Sequence, residues 1–282
     1  MTSESQTDTS SSTGPPTLID AHVHLYGCFN RATFFDAARK NFQQAAQSLG
    51  LPTHTLGVLM LTETASDHAF DSLLEQRELD AGRWRFDPTQ DGRSLTASLS
   101  GRHALTVIAG RQIMTREGLE VLALCCNETF TDGLSTEQTI EHVVKADGLA
   151  VLPYGVGKWS GMRGGVVDAL LDGRWADKLM LGDNAGRLAL LGEPKRLARA
   201  RQKGIRVLPG TDPLPLRSQA TRAGRYGMLL DVAVDPEKPC VSIKRCIQAT
   251  PKQPITFGRM AGPFGFLKCQ IAMQLRKRLR RT

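Results

Sequence analysis

From residue 135 onward, apolar runs alternate with amphipathic segments, and no other feature of this chain constrains its fold as much. Residues 135–145 predict a helix, with Ser135 as cap and Gln138 three positions on completing a capping box. Residues 149–152 predict a strand, 165–171 a helix and 178–181 a strand. Residues 194–203 predict a helix closed by Gly204, and 205–208 one more strand. Such repetition builds right-handed βαβ units on a parallel sheet. Upstream, the apolar run at 17–19 is followed by a helical pattern over 32–49, a buried strand over 55–62 and a helical pattern over 68–79. Residues 104–109 and 119–125 predict two further strands. Residues 83–103, rich in Gly, Asp and Ser, predict hairpins or an insertion. Many short buried strands in series favour a TIM-like, distorted (β/α) barrel. An open doubly wound sheet would place a glycine-rich nucleotide loop after the first strand, and here that loop is rich in histidine.

The chain has 282 residues, 41% of them hydrophobic, enough for one large α/β core. Residues 1–16 are Ser/Thr-rich with little apolar bulk and predict a disordered tail, with neither a signal nor a transit peptide. No apolar run approaches the roughly 18 residues that span a bilayer. The six cysteines include no C-x-x-C pair, so a reducing, cytoplasmic compartment is expected. The net charge of +8 is concentrated at one end, where Lys268, Arg276, Lys277, Arg278, Arg280 and Arg281 meet no acidic residue. Ile271, Leu275 and Leu279 recur among them every four residues, so 267–282 predict a basic amphipathic helix. Its chemistry suits packing on the barrel or contact with an anionic membrane surface from the inner face. Nucleic acid is the weaker partner, because no RNA- or DNA-binding motif precedes the helix.

Barrel chemistry gathers where strands end. The first strand ends in Asp20-Ala21-His22-Val23-His24. Strand side chains alternate, so His22 and His24 share a face about 7 Å apart, within reach of one divalent ion, and Asp20 shares that face. The second strand ends at Glu63, a ligand or base, followed by Asp67 and by His68, a helix-cap residue or a further ligand. Arg111 and Gln112 follow the third strand, and Tyr154 follows the strand at 149–152. The next segment, 155–165, carries five glycines with Lys158 and Arg163 and suits a phosphate or carboxylate at a helix start. Lys158 is followed by Trp159, which excludes a P-loop. Asp183, Asn184 and Arg187 follow the strand at 178–181. Asp212, in Pro209-Gly210-Thr211-Asp212-Pro213, is a turn former, a metal ligand or a general base.

In this order the motifs resemble the PHP family, named for polymerase and histidinol phosphatase, over about 18–215. Leu18-Ile19-Asp20-Ala21-His22-Val23-His24 resembles its first motif, and Ile108-Ala109-Gly110-Arg111-Gln112-Ile113 with 115–122 its third-strand block. Gly148-Leu149-Ala150-Val151-Leu152-Pro153-Tyr154 resembles the strand that ends in Ala-His-Pro, and Leu208-Pro209-Gly210-Thr211-Asp212 the late Gly-Ser-Asp segment. The resemblance implies a barrel over 17–266, up to three divalent ions and phosphoester hydrolysis. The chain departs from the pattern at three places. Gln112 stands where a bridging Glu is expected, Tyr154 replaces a histidine, and no histidine follows His142. These losses leave ligands for one ion (Zn, Mn or Fe) from His22, His24, Asp212, Glu63 and His68. The expected protein is a metal-dependent, phosphoesterase-like hydrolase of a small anionic substrate. Asp212, Glu63 and Tyr154 are its candidate catalytic groups, and Lys158, Arg163 and Arg187 would bind the anion. The alternative is a non-catalytic chain of the same fold that binds a metabolite or partner.

Overall fold

The computed structural model describes residues 15–188, 190, 192–250, 252–260, 262 and 267. Most of the expected N-terminal tail and nearly all of the basic C-terminal helix lie outside them. Among the described residues, thirteen strands and six α-helices make a mixed α/β fold with two open sheets.

Strand β1 (Thr17–Val23) is buried along its whole length. It pairs in parallel with β2 (Leu56–Leu61) and antiparallel with β12 (Tyr226–Leu230), and β12 pairs with β13 (Ile255–Gly258). Beyond β2 lie β6 (Arg102–Ile108), β5 (Ser94–Leu99), β4 (Trp84–Pro88) and β3 (Glu78–Leu79). The four successive strands β3 to β6 are antiparallel, so residues 78–108 form a meander. The second sheet runs β11 (Val207–Gly210), β10 (Leu179–Asn184), β9 (Leu149–Pro153), β8 (Glu120–Leu124), β7 (Gly110–Met114). Its β9, β10 and β11 are parallel, as the alternation after residue 135 predicts. β7 and β8 are an antiparallel hairpin, and the alternation does not foresee β7.

The expected barrel is not one continuous ladder, but the sheets meet at two seams. The chain passes from β6 into β7 through Ala109 alone, and there the Glu63 main chain bonds Gly110 (3.0 Å) and Gln112 (2.7 Å) of the second sheet. On the other side, Asp212 N–H, just past β11, donates to the His22 carbonyl of β1 (2.8 Å). Ile19, Met60, Ile108, Leu122, Val151, Met180 and Leu208 from both sheets share one apolar cluster.

The helices cover the outside. Helix α1 (Arg31–Ser48) starts where the Asn30 side chain accepts from Thr33 N–H, and it buries Phe34, Phe35, Ala38 and Phe42. With α2 (Ala69–Gln76) it packs Trp84 and Phe86 of the meander. α3 (Thr136–Lys145) carries the expected Ser135/Gln138 capping box. With α4 (Met162–Asp172) and α5 (Lys195–Gln202) it encloses a separate core through Val143, Val167 and Leu197. α6 (Pro239–Ala249) buries Ile243 and Ile247 under the shared cluster. Its neighbours lie where strands begin, since Lys244 bonds Asp147 O before β9 and Thr250 O bonds Arg206 before β11. The opposite end, where β1, β10 and β11 finish, is left to the polar residues.

Candidate metal centre

Three side chains converge at that end. His22 Nε2 and His24 Nε2 lie 3.2 Å apart, and Asp212 Oδ1 lies 3.5 Å and 3.6 Å from them. Both histidines are buried, while 22% of the Asp212 side chain remains open to solvent. Among the described residues this is the one group of three or more His, Cys, Asp or Glu placed to share an ion.

The spacing fits a cation. An ion with bonds of about 2.0–2.1 Å spaces tetrahedral ligands about 3.3 Å apart. The protonation states fit as well. Burial, reinforced by His22, pushes His24 down to about 3, so its ring is neutral at neutral pH. Burial alone would raise the Asp212 carboxyl, but His22, His24, Lys158 and Arg222 outweigh it and hold Asp212 below the usual value. Two imidazoles and a carboxylate form a donor set for zinc, iron or manganese and leave a position open for water. One feature departs from the usual pattern: His24 Nδ1 is buried with no hydrogen-bond partner.

Asp20 does not join the cluster. Its carboxylate accepts from Thr211 N–H (2.8 Å), Thr211 O–H (2.6 Å) and Gly224 N–H (2.9 Å), tying β1 to the loop that carries Asp212. Burial pushes it up to about 7 against the pull of those bonds. The backbone at Asp212 is left-handed (φ 45°), which strains a non-glycine residue; the His22 carbonyl and Asn184 hold it there.

Glu63 also turns elsewhere. Its Oε1 accepts from Phe70 N–H at the start of α2 (2.6 Å), and its Oε2 pairs with Arg111 (2.7 Å). Burial raises its carboxyl even so. His68 is exposed just before α2, and with Glu63, Asp71, Arg111 and Gln112 it lines a cavity of about 290 Å³. The Gln112 side chain is near enough to His24 to favour its charged form, so the position expected to hold a bridging Glu does face the centre, with a neutral amide. Tyr154 packs its ring edge-on against Trp159 and lines a second cavity, about 320 Å³, with Gly155, Gly157, Lys195 and Arg196.

Of the three expected anion binders, Lys158 is the one whose charge reaches both His24 and Asp212. Its ammonium rests on Glu120 (2.5 and 2.6 Å). Arg163 bonds the Gly157 carbonyl. Arg187 is buried and committed to Asp183 (2.6 and 3.0 Å) and to Gly192 O, with Tyr226 O–H also on Asp183. Asp183 lies in β10 and Arg187 in the turn after it, so the pair meets across a turn and no helical spacing announces it. At the same strand end the sequence marks Asn184 as well, but assigns a role to Arg187 alone. The Asn184 Nδ2 donates to Asp212 Oδ2 (3.0 Å) and to Tyr154 O (2.6 Å).

Fold and site together define a mixed α/β protein with a candidate His₂Asp metal centre where its strands end. No family model matches the chain. By structure it is similar to PsfC from Pseudomonas syringae, with a TM-score of 0.56 and 14% identity over 93% of this chain and 99% of that one. It is also similar to the lesion-specific endonuclease PfuEndoQ from Pyrococcus furiosus, with a TM-score of 0.52 and 14% identity over 85% of this chain and 57% of that one. An Endonuclease Q complex with a 27-mer duplex bearing an abasic lesion at the active site gives a TM-score of 0.51 and 13% identity, over 84% and 58%. At these identities the likeness is one of fold. By sequence, the uncharacterized protein MJ1587 of Methanocaldococcus jannaschii is 41% identical over 59 residues. That match covers 21% of this chain and about a third (34%) of the relative's length.

Proposed function

We propose that this chain is a metal-dependent phosphoester hydrolase with a PHP-like, distorted barrel fold, acting on a small anionic substrate. The observation that carries the reading is the convergence of His22 Nε2, His24 Nε2 and Asp212 Oδ1 on one point. The two seams between the sheets support a barrel-like closure, and the fold likeness to two endonuclease structures supports phosphoester chemistry. His22, His24 and Asp212 would hold one divalent ion. When bound, it supplies a low-pKa water and polarises the scissile group.

The remaining work falls to the chain. Lys158 brings positive charge beside the cluster and is drawn from Glu120 toward a phosphate by the stronger charge there. Tyr154 and the glycine-rich segment after it border the cavity of about 320 Å³ that would take the rest of the substrate. Glu63 and Arg187 hold the scaffold, because their charges are spent on Arg111 and Asp183.

A second reading has its own observation. Gln112 beside His24 offers no charge to bridge a second ion, which suits a chain that keeps one cation without turnover. Release of p-nitrophenol from its mono- and diester phosphates, with Zn, Mn or Fe(II) supplied, separates the readings. Ion-dependent turnover that disappears in His22→Ala and Asp212→Ala supports the hydrolase. A wild-type chain that binds the ion and releases no product assigns the non-catalytic reading, and turnover indifferent to chelator contradicts both.

A further inference from the structure

We infer that Asn184 is a positioning residue for the metal centre: its amide fixes the Asp212 carboxylate so that one oxygen is presented to the ion. The inference rests on the metal centre proposed above. Both hydrogens of the Asn184 amide and its oxygen are engaged. Nδ2 spends one hydrogen on Tyr154 O (2.6 Å) and the other on Asp212 Oδ2 (3.0 Å), and Oδ1 accepts from Gly186 N–H (3.1 Å). The reverse orientation would set the amide oxygen against a carbonyl and a carboxylate and the NH₂ against an N–H, so the network admits one orientation. The donor face therefore points at Asp212.

The consequence falls on the carboxylate. With Oδ2 engaged by Asn184, Oδ1 is the oxygen that lies 3.5 Å and 3.6 Å from the two imidazole nitrogens. Asp212 N–H is bonded to the His22 carbonyl, so the residue is tied through its main chain to β1 and through its side chain to the end of β10. Partners that orient a ligand in this way contribute about 10–100-fold to metal affinity. Asn184 also joins the end of β9 to the turn after β10, so a loss of stability alone would not identify its role.

The test uses cobalt(II) as probe, with the full chain as Asn184→Ala and Asn184→Ser. The serine hydroxyl can still accept from Gly186 N–H in the turn but is too short to reach Asp212. Each protein is titrated with Co²⁺, and both the dissociation constant and the visible d–d spectrum are recorded. The expected result is an affinity about 10–100-fold weaker in both variants, with a changed band pattern as the carboxylate rotates. If Asn184→Ala fails to fold, Asn184→Ser carries the comparison. Wild-type affinity and an unchanged spectrum in the folded variants overturn the positioning role alone. A wild-type chain that takes up no cobalt overturns the metal centre and this role with it.

Discussion

Gly210→Ala perturbs the seam on which the candidate site depends. At Gly210, β11 runs so close to β1 that a Cβ would sit 2.4 Å from His22 N and 2.5 Å from His22 Cβ. Carbon atoms in good contact stand about 3.5–4.0 Å apart, so β11 must retreat by roughly 1 Å. Two residues on, the Asp212 N–H bond to the His22 carbonyl is 2.8 Å, and that retreat carries it past the usual limit of about 3.2 Å. Overpacking and the lost hydrogen bond together cost about 2–4 kcal/mol. The same shift moves Asp212 Oδ1 away from the imidazoles, so metal binding falls along with stability. Gly165→Ala is the control. It lies inside α4 with nothing within 4 Å of its added methyl and gains about 0.5–1 kcal/mol as a helix substitution. Urea unfolding and zinc titration of the three proteins measure both effects. If Gly210→Ala unfolds and binds zinc like the wild type, the close approach of β11 to β1 does not set the site geometry.

Further outcomes follow from the same structure. Glu63→Ala strips Arg111 of its buried partner and α2 of an N-terminal acceptor; it should cost about 3 kcal/mol in urea unfolding and leave metal stoichiometry unchanged. Arg187→Ala leaves Asp183 buried with, among the described residues, the Tyr226 hydroxyl as its side-chain partner and should cost about 3–5 kcal/mol by the same assay, a loss of folding rather than of anion binding. Burial raises the Glu117 carboxyl, but hydrogen bonds from Thr136 outweigh it and hold the group below its usual value. Its contribution is therefore present above the ordinary carboxylate range and lost as pH falls through the lowered folded value. Glu117→Gln should cost about 1 kcal/mol at pH 7, and unfolding at stepwise lower pH should show the gap closing.

Much of this fold is readable in the chain because its signals are local. The Ser135/Gln138 box closes within one turn, and β9, β10 and β11 each carry a short apolar run between helices. His22 and His24 are legible as a pair because strand periodicity alone puts them on one face. The direction of the carboxylates is different in kind. Asp20 shares that periodicity, yet Thr211 and Gly224, 191 and 204 residues away, capture it. Glu63 ends a buried strand as a ligand should, yet Arg111 and the start of α2 take both its oxygens. β7 escapes the pattern because its five residues, Gly110-Arg111-Gln112-Ile113-Met114, open on a glycine and two polar residues and hold no apolar run of their own. Asn184 is visible at its strand end but carries no role in the sequence, because an amide gains meaning only from the two acceptors that tertiary contacts place before it.

The central claim is that two imidazoles and one late carboxylate share a cation. Crystals grown with zinc and measured at the zinc absorption edge test it directly. The account predicts one anomalous peak per chain, within about 2.0–2.2 Å of His22 Nε2, His24 Nε2 and Asp212 Oδ1. A map with no peak there, and the two rings simply hydrogen-bonded to each other, would contradict it.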